Sequence, residues 1–391
     1  MDPGDEAATI TNAPTDSVPV VGIGASAGGL EAFTQVLAHL PADTGMAYVL
    51  VQHLAPAHES LLAEILGRQA AIPVTQVSDG LPVAPDHAYV IPPNTSMILS
   101  DGQLHLTPRE RTRHPPTPVN EFFRSLAGAN GHRAIGVVLS GSGSDGEEGV
   151  RAIKVAGGIT FAEAPESAQY DSMPRAAIAT GCVDFVLPPA EIAAQLTYLS
   201  RHPYVREREV EPAEPDAESV AQAPASEFPE PPREVFQLLK GRSGVDFSHY
   251  KRGTLTRRLR RRMLLTHIDT VPEYVELLER EPAEIDTLCR DLFICVTGFF
   301  RDPEAFEALV RVGFPAMRKD HAPSTPVRVW VPGCATGEEA YSIAIALLES
   351  LGDDARATPP PADLRHRRER DGDRHGAGRV LPGEYRGRRL A

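Results

Sequence analysis

A serine in a glycine-rich turn is the first residue whose surroundings could support chemistry. Ser26 lies in Gly24-Ala25-Ser26-Ala27-Gly28, which fits the pattern G-x-S-x-G. This pattern exposes a nucleophilic serine on a sharp turn between a strand and a helix, where glycines let the backbone turn and the substrate approach. The amides near Ala27 and Gly28, at the start of the next helix, could stabilise an oxyanion. Alternatively, Ser26 only caps that helix, a role that suits serine.

The same glycines also fit a dinucleotide-binding pattern, G-x-G-x-x-A, over residues 22–27. A dinucleotide site needs an acidic residue at the end of the second strand to hold a ribose. That strand ends instead in Gln52-His53, which disfavours an oxidoreductase. An imidazole there could take the hydroxyl proton of Ser26 and later return it to the leaving group. A lone histidine is more often structural, but both residues follow parallel strands at one edge of a sheet.

A second glycine-rich turn supplies a carboxylate. Residues 140–146 read S-G-S-G-S-D-G and follow a predicted strand. Asp145 could orient the imidazole of His53 and stabilise its protonated form. Alternatively Asp145, or Ser144 beside it, caps the helix that follows. Because all three residues follow strands at one edge of the sheet, Ser26, His53 and Asp145 together predict a serine hydrolase triad.

The elements that must position these residues alternate between strand and helix patterns. Strands are predicted at 18–24, 46–54, 87–92, 133–140, 158–164 and 183–188, and helices at 28–40, 58–69, 118–128, 146–156, 173–180 and 189–200. This alternation predicts an α/β fold with a mainly parallel, doubly wound sheet over residues 18–201. Residues 95–100 and 103–108 flank Asp101-Gly102, which predicts a hairpin through a type I′ turn.

Composition narrows the class of protein. The 391-residue chain is 42% hydrophobic and carries a net charge of −14, which argues against general nucleic-acid binding. It has no apolar run near the roughly 18 to 20 residues that cross a bilayer, and no signal peptide, so we expect a cytoplasmic protein. The four cysteines, at 182, 289, 295 and 334, lack zinc-site spacing, so we expect reduced, buried thiols and no metal.

The rest of the chain changes character several times. Residues 1–17 are predicted to be disordered, 202–232 to form an acidic, proline-rich linker, and 233–320 to form a small all-α domain. Residues 321–351 are predicted to begin a second α/β unit, with a strand at 327–333, and 352–391 form an irregular tail rich in arginine and proline. The basic run at 250–263 is typical of a solvated helix face, or of one that binds nucleic acid or an acidic protein surface.

With these motifs in hand, residues 18–201 resemble the CheB-type chemotaxis protein-glutamate methylesterases. The serine turn, the Gln52-His53 strand end, the S-G-x-G-x-D-G turn and a helix start at Met173-Pro174 carry the resemblance. It implies hydrolysis of γ-glutamyl methyl esters on the signalling helices of chemoreceptors, and deamidation of glutamines there, with no cofactor. It also implies sensory kinase or receiver proteins as partners.

The resemblance assigns roles to particular residues. It implies that Ser26 is the nucleophile, His53 the general base and acid, Asp145 the orienting carboxylate, and the backbone at Ser142 an oxyanion donor. Many members carry threonine in place of Ala27 and methionine in place of Ser142. We therefore expect the side chains at these two positions to contribute less to stabilising the oxyanion. Typical members also begin with a receiver domain, and we expect no control by one in this chain.

Residues 234–351 resemble the start of CheR-type chemotaxis receptor methyltransferases, which use S-adenosylmethionine. The basic helix and the T-x-F-F-R run at 297–301 carry this resemblance, which implies that Thr297, Arg301, Glu338 and Glu339 hold the cofactor. It stops near residue 350, and no strand pattern follows, so we expect an incomplete Rossmann-like domain that transfers no methyl group. The chain as a whole resembles the front of a CheB/CheR fusion protein. A docking module without catalysis, and more remotely a dinucleotide-binding oxidoreductase, stay open as alternatives.

Overall fold

A computed structural model describes residues 18–52, 61–109, 116–206, 231–250, 252–292, 299–300, 303–320, 328–331 and 337–351. The chain divides into two compact units, Met1–Leu292 and Phe293–Ala391. The first unit contains the predicted α/β domain and a helical region.

The strands of the α/β domain form two sheets. The strands are β1 (Val20–Ala25), β2 (Ala47–Gln52), β3 (Val74–Gln76), β4 (Leu81–Pro82), β5 (His87–Val90), β6 (Thr95–Ser100), β7 (Gln103–Pro108), β8 (Ile135–Val138), β9 (Ile159–Glu163) and β10 (Phe185–Leu187). Within the described residues, seven of them form a parallel sheet in the order β10-β9-β8-β1-β2-β5-β3, and β4-β7-β6 form an antiparallel one. All six strands predicted for the parallel sheet are confirmed. The added strands β3 and β4 span three and two residues, which is too short for a pattern of alternation to reveal.

Helices cover both faces of the parallel sheet. They are α1 (Gly29–Ala38), α2 (Leu62–Gly67), α3 (Pro118–Asn130), α4 (Glu147–Val155), α5 (Ser172–Ala179), α6 (Pro189–Leu199) and the single turn α7 (Pro203–Arg206). Alternate strand residues face opposite sides. Ile23 packs in one core with Phe33 of α1, and Val49 packs in the other with Phe122 of α3. The two cores confirm the predicted doubly wound α/β architecture.

The hairpin between β6 and β7 forms as predicted. Asp101 and Gly102 have φ values of 50° and 73°, and a type I′ turn requires positive φ at both central residues. The hairpin packs on α3, where the Ser125 hydroxyl accepts a hydrogen bond of 3.0 Å from the Leu99 amide.

The predicted helical region is confirmed as α8 (Arg233–Ser243), α9 (Arg252–Leu265), α10 (Val271–Arg280) and α11 (Pro282–Leu292). It has a core of its own, in which Leu239, Leu259, Tyr274 and Leu288 are buried. Thr270 caps α10, because its hydroxyl accepts from the Glu273 amide and donates to the Glu273 carboxylate.

The second unit is helical in its described residues. It contains α12 (Pro303–Ala308), a π-helical segment at Leu309–Gly313, α13 (Phe314–Asp320) and α14 (Glu338–Leu351). The strand predicted at 327–333 is wrong over residues 328–331, which have no strand conformation. Trp330 there is 80% exposed, and none of the residues described in this unit forms a strand with which it could pair.

None of the described helices is both long and apolar enough to cross a membrane.

Candidate active site

The order of the strands places two glycine-rich turns side by side. The chain enters the parallel sheet at its centre in β1, runs outward on one side through β2, and returns on the other side through β8. Strands β1 and β8 are therefore neighbours at which the direction of winding reverses, and open α/β sheets bind ligands beyond the carboxyl ends of such strands. Ser26 follows β1 directly, and Asp145 lies in the turn after β8.

Hydrogen bonds from β2 and from the turn after β8 hold the Ser26 turn. The Ser26 amide donates to the Ser140 carbonyl oxygen over 3.0 Å. The Ser26 carbonyl oxygen accepts from the Gly29 amide over 3.0 Å and from Nε2 of Gln52, the last residue of β2, over 3.1 Å. The half-buried Ser26 side chain thus stands on a turn fixed to β2 and to the turn after β8.

Two glycines let the turns approach each other closely. Gly28 has φ of 76°, a left-handed conformation, and a Cβ there would lie 2.7 Å from Ser140 Oγ. A Cβ on Gly141 would lie 2.1 Å from Met173 Sδ and 2.9 Å from Ser26 Cβ. Both positions therefore require glycine, one for its backbone conformation and the other for space.

Ser140 connects the elements around the site. It is buried, and its amide donates to Oε2 of Glu163 over 2.8 Å. Its hydroxyl donates to the Ala27 carbonyl oxygen over 3.0 Å and accepts from the Tyr170 amide over 2.9 Å. Burial raises the pKa of the Glu163 carboxyl, although the hydrogen bond from Ser140 opposes this. Sequence reasoning missed both residues, and a lone carboxylate at the end of an apolar strand was the available signal for Glu163.

Asp145 is buried, and its carboxylate caps a helix other than the one that follows it. Its Oδ2 accepts from the Val119 amide over 2.9 Å, and its Oδ1 accepts from the Asn120 amide over 3.0 Å, both at the start of α3. In return, Oδ1 of Asn120 accepts from the amides of Gly146 and Gly149, over 3.0 and 2.8 Å, at the start of α4.

The alternative role of Asp145 or Ser144 as cap of the following helix is therefore corrected. Gly146 occupies the N-cap position of α4. The side-chain oxygen of Asn120, a residue that sequence reasoning missed, accepts the hydrogen bonds of the amides at the start of this helix. The reciprocal caps fix Asp145 between two helices.

The other predicted site residues divide into those that the structure describes and those that it does not. His53, Thr297 and Arg301 lie outside the described residues. Ser142 is exposed in the turn before Asp145, and Ala27 lines a groove beside Ser26. Of the cysteines, Cys182 is partly exposed rather than buried and Cys289 is buried; both are free thiols. Residues 295 and 334 lie outside the described part.

The groove beside Ser26 has a volume of about 870 Å³. Side-chain amides of Gln52, Gln69 and Gln169 line it, together with the carboxylate of Glu31 and the apolar side chain of Ile65. The groove thus offers both hydrogen-bonding groups and apolar surface. Among the described residues, no group of three histidine, cysteine, aspartate or glutamate side chains could hold a metal ion.

The described residues of the second unit do not fit S-adenosylmethionine. Glu338 and Glu339 lie in the first turn of α14, after Gly337 with φ of 112°. However, residues 328–331 form no strand, so no described strand leads towards α14 in the way that strands do where open α/β sheets bind a nucleotide.

The sheet and its site define a doubly wound α/β domain with a serine turn at the point where the winding reverses. Residues 21–196 match the family model described as CheB methylesterase. Residues 233–293 match the all-alpha domain of CheR methyltransferase, and residues 295–358 match its SAM binding domain. Residues 21–196 therefore carry a CheB methylesterase domain, and residues 233–358 continue into the two domains of a CheR methyltransferase.

Two curated relatives are similar to parts of this chain. An "Uncharacterized 104.1 kDa protein in hypE 3'region" of Rhodobacter capsulatus is 38% identical over 302 residues, which are 74% of this chain and 31% of the relative. "Protein-glutamate methylesterase/protein-glutamine glutaminase 1" of Myxococcus xanthus (strain DK1622) is 37% identical over 46% of this chain and 54% of its own length. This chain thus spans a third to a half of these curated relatives.

A similar solved structure is the catalytic domain of the Thermotoga maritima CheB methylesterase. It is 28% identical, with a TM-score of 0.44, and the match covers 47% of this chain and 99% of that domain.

Proposed function

We propose that the α/β domain is a protein-glutamate methylesterase in which Ser26, His53 and Asp145 form the catalytic triad. The observation that carries the proposal is the 3.0 Å hydrogen bond from the Ser26 amide to the Ser140 carbonyl oxygen. It joins the serine turn to the turn that bears Asp145, at the edge where such sheets bind ligands. The match of residues 21–196 to the CheB methylesterase family supports the same reaction.

In the proposed reaction, the Ser26 hydroxyl attacks the ester carbonyl carbon while His53 takes its proton. The C–O bond to the methoxy group then breaks, and His53 returns the proton so that methanol leaves. Water attacks the glutamyl-serine ester in the same way, which releases the glutamate carboxylate and restores the Ser26 hydroxyl. The same attack on a glutamine amide would release ammonia.

The oxyanion that forms in each attack needs donors beside Ser26. The candidates are the backbone amides of Ala27 and Gly28, which line the groove, and the amide of Ser142 in the facing turn. Backbone donors of this kind do not depend on the side chain, so alanine at 27 and serine at 142 are compatible with the role.

Asp145 would orient His53 through a carboxylate that cannot rotate freely. Its two oxygens accept from the amides of Val119 and Asn120, which fixes the plane of the carboxyl group. A fixed acceptor selects one tautomer and one orientation of the imidazole, which is the part that the carboxylate plays in a triad.

The proposed substrates are methylated glutamates on the cytoplasmic helices of chemoreceptors, which places the reaction in the cytoplasm. The groove of about 870 Å³ beside Ser26 is where a segment of such a helix would lie. Sensory kinase or receiver proteins are the proposed signalling partners.

The test is methanol release from receptor membranes that carry labelled methyl groups, by the wild-type chain and by Ser26→Ala. We expect release by the wild type alone. A fluorophosphonate probe should label the wild type and not the variant. Labelling of both proteins would refute Ser26 as the nucleophile. If neither protein is labelled and neither releases methanol, the domain is a docking module.

For the methyltransferase part, we propose that this 391-residue chain transfers no methyl group. The match to the SAM binding domain ends at residue 358, and the residues after it have no strand or helix period. Calorimetric binding of S-adenosylmethionine at micromolar affinity, or methyl transfer to receptors, would contradict this proposal.

A further inference from the structure

Helix α9 carries six arginines, yet it does not present a solvated basic face. Arg258 is 4% exposed and Arg261 is fully buried. The interpretation of this run as a solvated face is therefore wrong for these two residues. Both side chains reach the α/β domain.

The arginines bind carbonyl oxygens at the C-terminal end of α4 and in the turn after it. Arg258 donates to the carbonyl oxygens of Lys154 and Val155, over 3.1 and 3.0 Å, and Nε of Arg261 donates to that of Gly158 over 3.0 Å. The last carbonyls of a helix have no acceptor role inside the helix and carry partial negative charge, so guanidinium groups suit them.

A buried ion network lies behind these contacts. Lys154 Nζ is 2.6 Å from Asp184 and 3.1 Å from Asp291, while Arg261 lies 2.8 Å from Asp291 and also pairs with Asp184. Lys154 and Asp184 belong to the α/β domain, whereas Arg261 and Asp291 belong to the helical region. Each side contributes one cation and one anion, so each ion of the network has a partner of opposite charge on the other side.

Apolar contacts continue the same surface. Leu264 of α9 is fully buried and belongs to the core cluster that also contains Leu196 and Leu199 of α6. The ring of His267 packs against Tyr198 of α6, with ring centroids 4.4 Å apart. The surface thus combines a buried ion network with apolar packing at its side.

We propose that the α/β domain carries a specific binding surface for an arginine-bearing helix, and that α9 of the same chain is its occupant. We call this surface the α9-docking face; it consists of Lys154, Val155, Gly158 and Asp184, together with Leu196, Tyr198 and Leu199 of α6. Affinity resides in the face itself, so the complex with the helical region persists without the connecting chain. The proposal does not depend on esterase activity.

The test is to cut the chain between the α/β domain and the helical region and to measure whether the two fragments stay bound to each other. A recognition sequence for a specific protease is inserted in the full chain between residues 210 and 228, and the cut protein is examined by native mass spectrometry. We expect one complex with one copy of each fragment. Separate fragments at micromolar concentration would overturn the proposal, and complexes with two copies of each would overturn the assignment of α9 to its own chain.

Three variants of the cuttable protein test the residues. Arg261→Ala leaves two buried carboxylates with one cation, so we expect the dissociation constant to rise by about 100-fold or more. Arg258→Ala removes only bonds to backbone carbonyls, and we expect a rise of about 10-fold. The control is Arg242→Ala, whose two 2.6 Å bonds to Asp286 lie exposed within the helical region, and we expect no change.

Circular dichroism shows whether Arg261→Ala still folds, and if it does not, Arg258→Ala decides. An affinity of Arg258→Ala equal to that of Arg242→Ala would refute the role of the arginines.

Discussion

Substituting Gly141 by alanine tests how closely the two turns of the candidate site must approach. Gly141 does not adopt the left-handed conformation, so its backbone accepts alanine and only space is at issue. The new Cβ would lie 2.1 Å from Met173 Sδ, 2.9 Å from Ser26 Cβ and 3.0 Å from Ser26 N. Ordinary contact begins near 3.4 Å, so both neighbours must move.

The two contacts predict two different effects. Moving the flexible Met173 side chain is a case of overpacking, which costs about 1–3 kcal/mol of stability. Ser26 must shift by about half an ångström, and because a 1 Å misplacement costs about 100-fold in rate, we expect about a 10-fold loss of kcat/KM. That loss corresponds to about 1.4 kcal/mol of transition-state stabilisation.

Urea denaturation gives the stability, and methanol release from labelled receptors gives kcat/KM. The control is Gly128→Ala in α3, where a new Cβ has no neighbour within 4 Å. Because alanine favours a helix over glycine, that variant should gain about 0.5–1 kcal/mol with kcat/KM unchanged.

Combining Gly141→Ala with Met173→Ala separates the two effects. On the Met173→Ala background the sulfur contact is absent, so adding Gly141→Ala should cost little stability. The contacts with Ser26 remain, so kcat/KM should still fall about 10-fold. If Gly141→Ala leaves kcat/KM unchanged on both backgrounds, the reasoning that Gly141 positions Ser26 is refuted.

Three further predictions concern buried polar groups. Asn120→Ala should lower the free energy of unfolding by about 2–4 kcal/mol in urea, because two buried amides of α4 lose their acceptor, whereas Glu121→Ala, exposed on the same helix, should change little. Although burial opposes it, Arg261 and Lys154 lower the pKa of Asp184 to about 2 from 3.8, so its stabilisation is complete above about pH 4 and is lost as the pH falls towards 2. The free energy of unfolding, followed by circular dichroism, should therefore fall less steeply with decreasing pH in that range for Asp184→Asn than for the wild type. An equal slope for the two proteins would contradict the pairing. Because burial raises the pKa of Glu163 above 4.5, the stability that its neutral form contributes is lost as the pH rises through the raised pKa. In urea denaturation, Glu163→Gln should therefore become more stable relative to the wild type as the pH rises above 4.5. If the difference in free energy of unfolding between the two proteins is the same at pH 4 and pH 7, this prediction is contradicted.

Sequence patterns that span only a few residues predicted most of the local structure. The hairpin through Asp101-Gly102 formed because the turn type follows from residues that accept positive φ. The parallel strands formed where apolar runs alternate with helical periods. The strand predicted at 327–333 did not appear over residues 328–331, because an apolar run becomes a strand only where a neighbour supplies hydrogen bonds.

The sequence alone determined the α/β class of the first domain, the serine turn at Ser26 and the helical nature of the region after 233, since each rests on patterns within a few residues of one another. The tertiary structure decided which distant groups meet. It directed the Asp145 carboxylate to α3, set Ser140 between Ser26 and Glu163, and buried Arg261 against Asp184. Such partners are 23 to 114 residues apart in the chain, and a buried polar group takes whichever partner the packed strands and helices bring within hydrogen-bonding distance.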